Sequence, residues 1–403
     1  MKFTKQFYLI AFIESLAITC LQRGIYLLGQ YQYDFTPQNL KWLTLIFGAF
    51  YVIASFKAQS ITDKVGEKMT LFFALGLQIP LIFSLLFDSS FSHIMTIFAL
   101  TGFLNGIKWP IIQSYVSAGK TPGKTYKAIS IFNLSWSTGV PIGVMLAGEF
   151  ASLMFLHQDG GLVFVMPCLV ILISTVCALL APSKPLHLKV DHPARPSEAT
   201  LKKLRNLLFA HRTSMFSCYA AMIVLTALLP VIFKDLGLSE RQNSFYTSTM
   251  DWVRLLIFIA LGVYTGWHGK SWPIYASIIL MPISFFLAIS AVSVEMVLIS
   301  ELIFGLTMGL SYVGSLYYAQ LVKNAAVDAG GKHEGLIGLS CAIGPGLSIA
   351  GDKLTNVFNS SFTGQIITLL PLFLITGIWA MKFSRKADSV PLPTNLANEN
   401  SFV

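Results

Sequence analysis

Twelve long apolar stretches leave this 403-residue chain very few ways to fold. They run over 6–29, 38–60, 69–88, 92–116, 127–152, 161–182, 212–234, 242–266, 272–292, 295–322, 333–356 and 363–384. A helix of about 20 apolar residues crosses the ~30 Å hydrocarbon core of a bilayer. Inside lipid every backbone N–H and C=O must find its partner within the protein, so only α-helices and closed β-barrels span. Barrel strands alternate polar and apolar residues over roughly ten positions, whereas here the apolar residues run on without alternation. The stretches are therefore expected as twelve transmembrane α-helices in an all-α membrane protein. Charge supports this: Asp, Glu, Lys and Arg make up 12% of residues, about half the share with which a soluble domain faces water.

The connections are short except one. Between the sixth and seventh stretches lies a polar, proline-rich segment carrying Lys184, Lys189, Arg195, Lys202, Lys203 and Arg205. It is expected as a cytoplasmic linker, 183–211, between an N-terminal bundle, 1–182, and a C-terminal bundle, 212–386; the polar tail, 387–403, is expected to be disordered. Lys and Arg concentrate in the even-numbered connections and at the two chain ends, at Lys2, Lys5, Lys120, Lys124, Lys323, Lys332, Lys382 and Arg385 among others. Such residues are retained on the cytoplasmic side, so both termini are expected there. The net charge of +9 is then a topology signal, and nucleic acid is not expected as a partner. The first stretch holds Glu14 and Arg23 and lacks a small-residue cleavage site, which excludes a cleaved signal peptide. The five cysteines are scattered through apolar runs, without the pairing of a metal or redox site. Short loops and the lack of a targeting extension point to a bacterial inner membrane.

One offset, 203 residues, brings the two halves into register. Gly66 falls on Gly269, Gly102 and Gly106 on Gly305 and Gly309, Tyr115 on Tyr318, and Ala147-Gly148-Glu149 on Ala350-Gly351-Asp352. Small residues at i and i+4 let helix backbones approach closely. Two parallel six-helix halves are a known architecture of secondary transporters, with substrate bound between them near the midplane.

The loop after the second stretch reads Gln59-Ser60-Ile61-Thr62-Asp63-Lys64-Val65-Gly66-Glu67-Lys68. Together with the topology and the repeat, it resembles the signature loop of the major facilitator superfamily, Gly-x-Leu-x-Asp-Arg-x-Gly-Arg-Arg. Asp63, Lys64, Gly66 and Lys68 match; Gln59 stands for the leading glycine and Glu67 for a basic residue. The second-half loop keeps Gly262, Gly269 and Lys270 but has Gly266 where the acid belongs. The resemblance implies that Asp63 and the basic residues brace the cytoplasmic side in the outward-open state as a breakable latch. The fifth stretch, with Pro141, Gly143 and Gly148, looks like a partial version of the glycine- and proline-rich signature of drug/proton antiporters. The eleventh repeats the theme in Gly344, Pro345 and Gly351.

Ionisable residues inside spans are costly and mark function or pairing. Glu14 and Arg23 lie nine residues apart on opposite helix faces, so Glu14 needs a partner on another helix or a proton. Lys108 lies deep in the fourth stretch near Asn105 and Gln113. By resemblance the first, fourth, seventh and tenth helices surround the cavity, which favours Glu14, Arg23 and Lys108 as lining. Asp251 and Arg254, three apart, share one face and read either as a self-neutralising pair or as a pair that substrate breaks. Glu301 is a candidate proton site. Glu149 and Asp352 are expected in outer-gate or interfacial roles. His333 and Glu334 are expected to begin the eleventh helix, capping it or touching an inner gate.

These residues point to a secondary active transporter that moves a small polar or anionic organic solute by alternating access, coupled to protons or another ion. The alternatives are a multidrug/proton efflux antiporter, expected to have a wide aromatic cavity with one or two acids, and a non-transporting receptor or scaffold on the same fold. No phosphate-cradling loop, metal cluster or nucleophile–base pairing stands in the sequence, so no enzyme, cofactor or metal is expected. The partners expected are a small molecule, the coupling ion and the lipid bilayer, around a monomer.

Overall fold

The computed structural model describes residues 4–120, 122–157, 161–185, 198–322, 327–358 and 361–390. Lys2, Lys189, Arg195, Lys323 and the tail from Pro391 onward lie outside the described residues. Among the described residues twelve helices are long and apolar enough to span a membrane. In chain order they are α1 (Lys5–Tyr31), α2 (Pro37–Val65), α3 (Glu67–Leu86), α4 (Phe91–Ser117), α5 (Lys124–Leu153) and α6 (Leu162–Leu179). The second six are α7 (Thr200–Asp235), α8 (Glu240–Val263), α9 (Trp272–Ile289), α10 (Val294–Val322), α11 (Val327–Leu354) and α12 (Thr363–Asp388).

The helices start where the local chemistry satisfies their first N–H groups. Thr36 and Ser239 cap α2 and α8, each with a reciprocal bond from Asn39 or Gln242 at the third helical position. Two helix starts differ most from the sequence reading. The seventh membrane helix belongs to a longer one that already begins at Glu198, inside the segment read as linker. The eleventh begins at Val327 rather than at 333. Its first residues, Asp328 to Lys332, are too polar and glycine-rich for hydropathy to register.

The repeat has a physical basis. Gly66 ends α2 with φ 84°, and Gly269 holds φ 69° in the equivalent loop. Both are left-handed conformations that only glycine adopts without strain. Side chains at Gly102 and Gly106 would strike the backbone carbonyls of Phe47 and Tyr51, so α4 lies directly on α2. Gly305 and Gly309 likewise face Met250 and Ile257, which sets α10 on α8. Gly143 packs on Leu16 of α1, and Gly344, one residue before Pro345, on Ala220 of α7. Gly148 crosses between the halves to Ser244 of α8, whereas its counterpart Gly351 packs on Gly364 of α12.

The halves meet along two seams, α2 with α11 and α5 with α8. On the first, Gly48 faces the backbone of Cys341 and Ala342, and Gly338 faces Val52. This backbone-to-backbone contact runs through the middle of both helices.

Candidate functional site

Midway along the molecule a cavity of about 160 Å3 lies between the halves. Its wall comes from the middle stretches of α1 (Ser15, Ile18, Thr19), α4 (Trp109), α5 (Phe132, Trp136, Val140), α7 (Tyr219), α10 (Tyr312) and α11 (Glu334, Ile337). Trp136 and Tyr312 stand 5.1 Å apart between ring centroids, and Tyr219 and Tyr312 5.9 Å. Glu334 is the acid of this wall. One of its oxygens accepts from the Tyr51 hydroxyl of α2 and the other from the Gln113 amide of α4. A C-terminal-half carboxylate is thus held by two donors of the N-terminal half. The expectation that Glu334 opens its helix is corrected: with α11 starting at Val327 it lies seven residues in, past the first turn. His333 beside it is fully buried, its Nδ1 3.1 Å from the Ser315 hydroxyl.

The other charged candidates gather elsewhere. Lys108 and Glu14 form a 2.6 Å ion pair with both side chains 0% exposed, inside the N-terminal half. Ser174 of α6 donates to the other Glu14 oxygen. Gln78 of α3 joins Glu14 and Asn105 to the same cluster, accepting from Asn105 at 3.2 Å. The partner that Glu14 required on another helix is therefore Lys108. Four helices share this network, and none of its members lines the cavity.

Arg23 crosses to the C-terminal half. It donates to the Thr226 carbonyl at 3.2 Å, to Asn243 Oδ1 at 3.0 Å and to Thr247 Oγ1 at 2.6 Å. Asp251 and Arg254 pair at 2.8 Å, and the Arg254 guanidinium lies 4.8 Å from the Trp136 ring centroid. Glu301 is 1% exposed, and its carboxylate oxygens have no hydrogen-bond partner among the described residues. The charged groups acting on it are Arg23 and Asp251.

Both ends of the seams are closed. At the end away from the chain termini, Lys41 meets Asp352 at 2.7 Å and Arg241 meets Glu149 at 2.7 Å, each pair joining the two halves. At the opposite end, Tyr126 of α5 enters a box of Trp267, His268 and Tyr317 and donates to the Leu261 carbonyl. Burial of the His268 imidazole in this loop lowers its pKa to about 4. Asp63 accepts from Gln59 of its own helix at 2.7 Å, and among the described residues no ion pair joins it to Lys64, Lys68 or another base. Gln59 instead accepts the backbone N–H of Asp328 at 3.1 Å, so the residue that departs from the family pattern makes the contact between halves. Gly269 of the second loop donates its N–H to the Tyr318 hydroxyl at 3.0 Å, next to Lys270.

A family model described as "Major Facilitator Superfamily" matches residues 7–349. The chain belongs to the major facilitator superfamily. This facilitator is therefore a membrane transporter with twelve helices in two halves, as the loop and the repeat led us to expect. The crystal structure of the human organic anion transporter MFSD10 (TETRAN) superimposes with a TM-score of 0.66 at 14% identity, over 94% of this chain and 98% of that one. At that identity the likeness is one of fold. Comparison with curated proteins finds no match.

Charge inside the membrane led the sequence reading, so it missed the cavity's aromatic wall and the polar partners Gln78, Ser174, Tyr51 and Asn243. One signal was available. Trp109 and Tyr312 are separated by the same 203 residues as the glycines and face one cavity.

Proposed function

We propose that this facilitator moves a compact amphipathic organic solute, one with a flat ring and a cationic or hydrogen-bond-donating group, by alternating access in exchange for protons. The observation that carries the reading is the cavity wall, which Trp109, Phe132, Trp136, Tyr219 and Tyr312 share with Glu334. Aromatic faces stack on flat rings and attract cations. An acid within a span is costly unless paired or protonated, so a substrate cation and a proton compete for one group. That competition is the chemistry of antiport, and it favours the efflux class over an anionic substrate. The cations that suggested an anion are engaged elsewhere: Lys108 by Glu14, Arg254 by Asp251, and Arg23 by Asn243 and Thr247. Because Tyr51 and Gln113 hold Glu334 from the opposite half, whatever occupies the carboxyl also weighs on how the halves meet.

A second reading, a polar or anionic solute, draws support from Arg254 stacked on Trp136, a cavity residue. Reconstitution into proteoliposomes under an imposed pH gradient separates the two. Movement of an aromatic amine that follows the gradient, and loses that dependence in Glu334→Gln, supports the first. Movement of an aromatic carboxylate that is lost in Arg254→Gln supports the second. The Lys and Arg distribution further supports cytoplasmic chain ends, which labelling of single cysteines at either end tests.

A further inference from the structure

The two seams are not alike at the end away from the chain termini. On α2/α11, Lys41 is 1% and Asp352 33% exposed, and Gln365 of α12 donates a 2.8 Å bond to Asp352, so this ion pair is the more enclosed of the two. On α5/α8 the Arg241 and Glu149 side chains stay 58% and 44% exposed. Beside them a groove of about 540 Å3 runs between the two helices. Ile142, Met145, Leu146, Phe245 and Trp252 wall it, and Phe245 is 57% exposed. Along α5 the apolar positions precede Glu149, so the trough ends on the charged pair.

A recess between two spans, walled largely by apolar side chains of which Phe245 and Trp252 are 57% and 37% exposed, suits an acyl chain. The pair at its end carries one positive and one negative group and no net charge. A zwitterionic headgroup complements it, with phosphate on the guanidinium and ammonium on the carboxylate. An anionic headgroup lacks the second partner, and a quaternary ammonium lacks N–H donors for Glu149.

We propose that the α5/α8 groove binds a phospholipid of the phosphatidylethanolamine class, its acyl chain in the trough, its phosphate on Arg241 and its primary ammonium on Glu149. Native mass spectrometry of the full-length protein with phosphatidylethanolamine, phosphatidylcholine and phosphatidylglycerol of identical chains tests this. The first is expected to be retained about tenfold over the other two, the size of one charge-assisted hydrogen bond. Glu149→Gln removes the preference for the ethanolamine over the choline lipid. Arg241→Gln weakens both, and Met145→Trp, which fills the trough, lowers all three. Equal retention of the three lipids by the unaltered protein overturns the proposal, as does a preference that survives in the Glu149→Gln/Arg241→Gln double variant. If a variant fails to fold, the mono- and dimethylated ethanolamine lipids decide on the unaltered protein. Stepwise loss with each methyl supports the site, and a flat series overturns it.

Discussion

Asp352 of α11 accepts bonds of 2.7 and 2.8 Å from Lys41 of α2, and 203 positions earlier Glu149 of α5 meets Arg241 of α8 at 2.7 Å. The acids repeat between the halves, whereas the position equivalent to Lys41 is Ser244. Each acid thus found its cation separately. Both pairs must part for this end to open. Charge reversal at Lys41→Glu is expected to raise cysteine accessibility on this side, and adding Asp352→Lys to restore closure. A double-mutant cycle on melting temperature should show a coupling of about 1–3 kcal/mol.

Lys108 and Glu14 make a buried pair away from the cavity, which predicts a particular pattern. Lys108→Met leaves a buried carboxylate without its cation and should cost about 3–5 kcal/mol, whereas Lys108→Met with Glu14→Leu should recover most of that. Thermal unfolding in detergent measures the cost. Transport by the double variant should persist; its loss, with the fold intact, would make the pair part of the pathway.

Two glycines with open space around them should respond oppositely to alanine. Gly66 has φ 84° and Gly377 is helical, and neither has an atom near where a Cβ would stand. Gly66→Ala is expected to destabilise by about 1 kcal/mol or more through left-handed strain. Gly377→Ala should stabilise by roughly 0.5–1 kcal/mol through lost chain entropy. Melting temperatures of the two variants settle the sign.

His268 gives the end near the chain termini a pH dependence. Burial holds its pKa at about 4 against an ordinary 6.5, so the closed box keeps the ring neutral where an exposed ring would take a proton. Opening then binds protons between those values. Closure is fully held above about 6.5 and weakens as pH falls toward 4. Hydrogen exchange in 261–272, corrected for intrinsic rates, should speed up at pH 5 relative to pH 7.5, and His268→Phe should flatten the difference.

The sequence told most about what lipid and backbone enforce. Twelve spans, two halves and Gly66/Gly269 follow from hydropathy, spacing and dihedral need, and the described residues carry them. Glu334 was legible as a residue of interest but misplaced, because the helix around it starts at Val327 and runs through Gly330-Gly331-Lys332, which hydropathy scores as loop. The aromatic wall was hidden in a chain of 54% hydrophobic residues, where a cavity tryptophan and a lipid-facing one look the same. Lys108 drew notice as a rare intramembrane charge, yet only the fold could bring it to Glu14 rather than to the cavity.

The α2/α11 seam has a mechanical reading. Two rods press together at mid-length through Gly48 and Gly338, and each extremity is pinned by a small polar contact, Lys41–Asp352 at one and Gln59–Asp328 at the other. The pins are separated by 18 residues of α2, about 27 Å of helix. With the glycine contact as fulcrum, each lever arm is about 13 Å, and lifting one pin by about 3 Å asks for a tilt of roughly 13°. A seesaw of that size releases one extremity while compressing the other, so the same pair of helices excludes simultaneous opening to both sides of the membrane.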